Sequence, residues 1–153
     1  MEINFRKIDK SNYNTCALLK VSENQTNYVA SNAFSLLQAL YEDEFYPLGI
    51  YNGDEMVGFI LYDYDEELKG WSFSRFMIDS KHQNKGIGSK ALENFFEFFC
   101  NRYPNENLYT SVEIDNEVAI KLYEKHGFRK KDLFEYKVGD ITYKEFRMQK
   151  ELW

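Results

Sequence analysis

Apolar and polar residues alternate over residues 3–8, the period of a strand with one buried face. Helical spacing follows at Ala17, Leu18 and Val21, with Asp9 or Ser11 placed to cap the turn. A second helix, starting near Ser31, sets Ala33, Phe34, Leu37, Leu40 and Tyr41 on one side. Residues 46–51 and 55–62 read as strands, and Asn52-Gly53 between them is a strong hairpin signal. Residues 63–70 read as an acidic loop before an aromatic strand at 71–79. Residues 89–99 form a strongly apolar helix that stops before Pro104. A strand at 108–114 precedes a helix that Asp115 or Asn116 caps and Gly127 closes, with Lys125 and His126 suited to its C-terminus. Residues 128–138 and 141–152 read as a last hairpin turning at Gly139-Asp140. The predicted order is strand, two helices, three strands, helix, strand, helix, two strands.

Chemistry concentrates where the 71–79 strand meets the apolar helix. The connecting residues are Gln83-Asn84-Lys85-Gly86-Ile87-Gly88. A glycine-rich turn entering a helix aims several backbone N–H groups at one spot and adds the positive end of the helix dipole. That arrangement suits a phosphate or pyrophosphate. The spacing is neither the nucleotide P-loop G-x-x-x-x-G-K-[ST] nor the dinucleotide G-x-G-x-x-G. It is Q-x-x-G-x-G. Further on, Asn116 to Phe128 reads N-x-x-A-x-x-L-Y-x-x-x-G-F.

These two blocks, in this order and each in strand–turn–helix context, resemble the acyl-CoA loop and the second signature block of the GNAT acetyltransferase superfamily. The resemblance implies a single N-acetyltransferase domain over residues 1–153. Its fold class is α/β (α+β), a mixed, mostly antiparallel sheet of about seven strands flanked by about four helices, with a splayed central strand pair. It further implies acetyl-CoA as co-substrate. Gln83, Asn84, Lys85, Gly86, Ile87, Gly88 and Ser89 would hold the pyrophosphate. Phe76, Met77 and Ile78 would line the pantetheine arm through their backbone. Asn116 would hydrogen-bond that arm, and Tyr123 would stand as general acid beside the sulfur.

Composition narrows the class of partner. Apolar residues make up 44% of the 153-residue chain and aromatics 18%, enough for a substantial core and against disorder. The net charge of −6 disfavours nonspecific nucleic-acid binding and suits a cationic ligand. Cys16 and Cys100 lack metal-ligand spacing and read as small buried thiols. No His/Cys/carboxylate cluster implies a metal. No signal-peptide core and no bilayer-length apolar run stands in the chain, so the expectation is a cytoplasmic protein without a membrane partner.

The N-terminal half and residues 46–51 resemble the bacterial spermine/spermidine acetyltransferase branch, which implies a small-molecule amine acceptor. A polyamine site wants carboxylates and aromatic faces. Glu23, Glu42, Asp43, Glu44, Asp63, Asp65, Glu66 and Glu67 offer the acids, interleaved with Tyr28, Tyr41, Tyr46, Tyr62 and Tyr64. The general base is open. Where polyamine acetyltransferases carry an acid before the cofactor-contacting strand residues, this chain has Phe73-Ser74-Arg75-Phe76. Glu113 and Glu23 are alternatives, as is proton loss to solvent. Two other classes stand beside this reading: a protein or peptide N-acetyltransferase, and a noncatalytic acyl-CoA-binding module. A homodimer using the terminal hairpin and Trp153 is also open.

Overall fold

The computed structural model describes residues 1–21 and 31–152. In chain order the elements are β1 (Ile3–Lys7), α1 (Tyr13–Leu18), α2 (Asn32–Tyr41), β2 (Phe45–Asn52), β3 (Glu55–Asp65) and β4 (Gly70–Ile78). After a 3-10 turn at Ser80–His82 come α3 (Ile87–Arg102), β5 (Asn107–Glu113), α4 (Glu117–Lys125), β6 (Arg129–Val138) and β7 (Ile141–Glu151). The predicted order and element types are found. All seven strands form one sheet, ordered β1-β2-β3-β4-β5-β7-β6, in which only the β4–β5 pair is parallel.

Alternation along the strands sends successive side chains to opposite faces. On one face Ile60, Tyr62 and Phe73 pack under Leu92, Phe95 and Phe99 of α3 and Ile120 and Tyr123 of α4. Phe95 is fully buried, with its ring edge-on to those of Phe5 and Phe73 at 6.0 Å each. On the other face Phe59, Leu61 and Met77 pack with Cys16 of α1 and with Leu36 and Ala39 of α2. Burial pushes the Cys16 thiol up to about 12, as an inert core thiol requires.

Three local expectations are corrected. Val21 lies beyond α1, which ends at an exposed Leu18, and Asn12 rather than Asp9 or Ser11 stands at its N-cap. Asp9 instead accepts the Ser11 backbone and hydroxyl in the preceding turn, at 2.8 and 2.6 Å. In α2 the period is right and the phase is reversed. Phe34, Leu37, Leu40 and Tyr41 are exposed, and Asn32 and Ser35 are buried. Asn32 turns inward because its Nδ2 donates to the Cys16 carbonyl at 2.9 Å, closing the end of α1. Finally, β3 runs on through Asp65, so Asp63 is a strand residue only 7% exposed, not part of a solvated loop.

The parallel pair positions the site. β4 and β5 are in register only at Trp71–Leu108 and Ser72–Tyr109. β3 pairs Tyr62 with Phe73 and Leu61 with Arg75, so Ser74 is bulged out of the ladder. Thr110 Oγ1 donates to the Phe73 carbonyl at 2.9 Å, the link nearest the bulge. Past it the strands separate, leaving the β4 edge from Ser74 to Ile78 without a strand partner on the β5 side.

Candidate active site

The separation of β4 and β5 opens a cavity of about 730 Å³ that runs through the sheet. It is lined by the diverging strands, by the glycine turn, by Asn116, Leu122 and Tyr123 of the α4 region, and by Phe134, Tyr136, Tyr143 and Glu145 of the last hairpin. Phe76, Met77, Ile78, Gln83, Asn84, Gly86, Ile87, Gly88, Asn116, Tyr123 and Glu113 all border it, so the fold gathers most of the sequence-derived candidates at one place. Lys85, within the turn, and Ser89, just after it, are off the cavity wall. Glu23, Tyr28 and Trp153 fall outside the described residues.

The glycine turn has the geometry of an anion cradle. Asn84 and Gly86 both take left-handed backbone angles, with φ of 62° and 79°. Alternating handedness of this kind curls backbone N–H groups inward. The first hydrogen bond of α3 runs from Lys90 N–H to the Gly86 carbonyl at 3.2 Å, so the amides of Ile87, Gly88 and Ser89 have no partner within the helix. Gln83 Nε2 donates to the Ile78 carbonyl at 2.9 Å and ties the turn to the end of β4. Gly88 is not demanded by packing. A Cβ there would meet only the side chains of Ile78 at 3.6 Å and Phe76 at 4.0 Å, and its φ is not left-handed. The lysines contribute elsewhere: Lys85 Nζ donates to the Lys81 carbonyl at 3.3 Å, and Lys90 pairs with Glu93 at 3.6 Å.

One link was not legible in the sequence. Ser89 Oγ is 2.8 Å from His126 Nε2, joining the start of α3 to the end of α4. Burial lowers the His126 pKa and favours the neutral ring. Lys150 Nζ also donates to the His126 carbonyl.

Tyr123 reaches the cavity from α4, its ring edge-on to Phe73 at 5.5 Å and beside Phe128 at 5.8 Å. Burial raises the phenol pKa well above its ordinary 10.0, so the proton stays on through neutral pH. Among the described residues the hydroxyl has no hydrogen-bond partner, which leaves its proton available to a ligand. Asn116 caps α4 by accepting from Ala119 N–H at 3.2 Å, and the residue lines the cavity.

Of the two acids at the site, Glu113 is a residue that the sequence singles out and Glu145 is not. Glu113 of β5 stands directly opposite Glu145 of β7. Val112 packs under α3 and α4, so Glu113 and Glu145 point to the other face. Burial, and next the facing Glu145, raise the Glu113 pKa. Like charges directly across a ladder are destabilising unless a cation joins them. Tyr136 donates to Glu145 Oε2 at 2.7 Å, and its ring stacks on that of Tyr143 with centroids 5.2 Å apart. Arg75 adds a positive charge, donating to the Ser74 carbonyl at 2.9 Å and to Gln38 Oε1 at 3.4 Å. Of the acids and tyrosines assembled from the sequence for an acceptor groove, most stand elsewhere. Tyr46 and Tyr62 stack at 5.1 Å beside Trp71, and Tyr41 is exposed. Finding Glu145 required the β5–β7 register, which residue spacing does not encode.

A seven-stranded mixed sheet with a splayed parallel pair and a glycine turn opening the following helix defines an acyltransferase scaffold. Residues 11–128 match the acetyltransferase (GNAT) family, and the chain belongs to it. The chain is 33% identical over 136 residues to a spermine/spermidine N(1)-acetyltransferase of Bacillus subtilis, covering 84% of this chain and 89% of that protein. These findings make the protein an amine N-acetyltransferase. In fold it is similar to the spermidine N-acetyltransferase of Vibrio cholerae solved with CoA and spermine, with a TM-score of 0.78 at 15% identity, covering 99% of this chain and 96% of that one. It is similar also to the ribosomal-protein-S18-alanine N-acetyltransferase of Escherichia coli, with a TM-score of 0.73 at 16% identity, covering 98% and 94%. The same scaffold therefore serves acceptors of both kinds, and the acceptor must be read from the site. Among the described residues no cluster of three or more His, Cys, Asp or Glu side chains is placed to hold a metal, and no helix is long and apolar enough to cross a membrane.

Proposed function

We propose that this protein transfers the acetyl group of acetyl-CoA to a primary amine of a polyamine or diamine, by direct attack within one complex. The observation that carries the acceptor is the facing pair Glu113 and Glu145, with the stacked Tyr136 and Tyr143, on the sheet face opposite Tyr123. Two facing carboxylates, together with aromatic faces, hold an ammonium and the methylenes next to it. The kinship with the Bacillus subtilis enzyme supports the same reading.

Acetyl-CoA supplies an activated acyl thioester. The amides of Ile87, Gly88 and Ser89 and the dipole of α3 hold its pyrophosphate. The unpaired β4 edge at Phe76–Ile78 binds its extended arm as an added strand would, and Asn116 contacts the same arm. Backbone N–H at the splay stabilises negative charge on the acyl oxygen. Tyr123 gives its proton to the departing sulfur. Burial weakens the phenol as an acid, but the same dry surroundings raise the basicity of a thiolate, so the two stay matched. The unit at work is taken as one N-acetyltransferase domain, placed in the cytoplasm.

Thiol release from acetyl-CoA, measured with spermidine, spermine, diamines, aminoglycosides, amino acids and peptide N-termini, tests the reading. Turnover on polyamines or diamines is expected. Silence on all of them with turnover on peptides would transfer the assignment to a protein acetyltransferase, and silence on every amine despite acetyl-CoA binding would leave a binding module. Glu145→Gln is expected to raise KM for a polyamine about tenfold, the loss of one charge-assisted contact of ~1.5–3 kcal/mol. The KM for acetyl-CoA should not change in that variant.

A further inference from the structure

β4 brings no carboxylate to the place where the attacking amine must lose its proton, for Ser74 and Arg75 occupy it. The neighbouring strand does. Ser74 is bulged out of the β3–β4 ladder and lines the cavity. Its hydroxyl donates to Oδ1 of Asp63 on β3, a carboxylate buried behind the cavity wall. Both residues lie on the sheet face that carries Glu113 and Glu145, since Tyr62 and Phe73 beside them face α3 and α4. We propose that Ser74 and Asp63 form the proton exit for the acceptor amine, Ser74 Oγ touching the nitrogen and Asp63 taking the charge behind it. This rests on the amine acetyltransfer reading above but not on polyamines being the acceptor.

The bulge is what makes the pair. In a regular ladder a residue beside Phe73 would be held flat against its β3 partner. The extra residue instead carries a hydroxyl out over the cavity while it still reaches Asp63. Burial pushes Asp63 up to about 6, and Asp65 and Glu42 add to the rise. The hydrogen bond from Ser74 and the charge of Arg75 oppose it. These are the groups facing Asp63 from β3, from the end of α2 and from β4. A carboxylate of that basicity is ionised at neutral pH and accepts a proton more readily than an exposed one.

The step balances. The bound ammonium passes one proton to Ser74 Oγ while the Ser74 proton moves to Asp63. The freed nitrogen pair forms the C–N bond to the acyl carbon, the C–S bond breaks, and the sulfur takes the Tyr123 proton. The second proton lost by the nitrogen returns through solvent to the phenolate, and Asp63 releases its own to bulk water. Ser74 is the residue in contact with the amine, and Asp63 acts through it.

The test is the pH dependence of kcat/KM in wild type, Asp63→Asn and Ser74→Ala, at saturating acetyl-CoA, with whichever amine the wild type turns over fastest. Wild-type activity is expected to rise as pH climbs through about 6, because Asp63 must be ionised to accept. Asp63→Asn should lose that limb and fall about a hundredfold at pH 7.5, the scale of one general base. Ser74→Ala should fall about tenfold or more, since a water can replace the hydroxyl only in part, and Ser74→Thr should recover most of the rate. Acetyl-CoA affinity by calorimetry should stay within about twofold in all three. Retention of the acidic limb with rates within threefold of wild type in both Asp63→Asn and Ser74→Ala would overturn the proposal. If Asp63→Asn does not fold, the Ser74→Ala and Ser74→Thr pair decides alone. Absence of polyamine turnover would sink the acceptor assignment only, because the limb is read on any amine acetylated.

Discussion

Replacing Tyr123 by Phe is expected to lower kcat by about a hundredfold or more, the usual worth of one general acid, with acetyl-CoA affinity nearly unchanged. The substitution removes a single oxygen from a ring whose packing is already complete. The ring lies against Phe73 and Phe128, and the hydroxyl has no partner among the described residues. The folded protein thus loses no internal hydrogen bond, and its melting temperature should hold or rise slightly. On the proposed mechanism, what disappears is the proton that meets the departing sulfur. Steady-state kinetics with the best amine, beside calorimetry for acetyl-CoA, checks both halves. Wild-type-like kcat would remove the acid role. A loss confined to KM would make Tyr123 a binding residue.

Gly88→Ala should move stability and cofactor affinity in opposite directions. Gly88 is the second residue of α3, with no left-handed backbone requirement, and the nearest atoms to an added Cβ are side-chain carbons at 3.6 and 4.0 Å. Alanine is the better helix former by roughly 0.5–1 kcal/mol. The protein alone should therefore melt a few degrees higher. The methyl group would nonetheless stand among the amides of Ile87, Gly88 and Ser89, where a pyrophosphate must approach the backbone closely. Disturbing one charge-assisted bond of ~1.5–3 kcal/mol corresponds to about 10- to 100-fold weaker acetyl-CoA binding. Thermal melting and calorimetry on the same preparation read the two signs. A variant that binds acetyl-CoA as wild type does would show that the turn serves packing only. Gly86 gives a less clean test. Its φ of 79° strains any other residue whatever the ligand does.

Local chemistry accounts for how much of the site could be read in advance. The Q-x-x-G-x-G turn and the Asn116-to-Phe128 block each lie within one strand–turn–helix unit, so their geometry follows from nearby residues. Asn116 caps α4 and Gly127 closes it with a φ of 91°, as the spacing predicts. The splay also followed from the resemblance, and the register at Trp71 and Ser72 alone shows it. The acid pair did not, because Glu113 and Glu145 are 32 positions apart, and what joins them is the pairing of β5 with β7. Asp63 was misplaced for the same reason. Its neighbours Asp65, Glu66 and Glu67 gave the segment the look of solvated loop. Three more residues of β3 ladder instead carry Asp63 beneath the bulge.

The face of α2 shows where periodicity stops being informative. Its apolar positions recur at helical spacing, yet the polar side chains of Asn32 and Ser35 face inward and Phe34, Leu37 and Leu40 outward. A period reports that a helix forms. Its phase is set by what the helix meets, here the Cys16 carbonyl.

The sequence by itself determined the elements, their order and the glycine turn that opens α3, because each depends on residues within a few positions of one another. The tertiary structure alone decided which carboxylates meet, which side of α2 is covered and which hydroxyl is lifted over the cavity. Those outcomes rest on strand register and on a bulged residue, both set by packing between segments far apart in the chain.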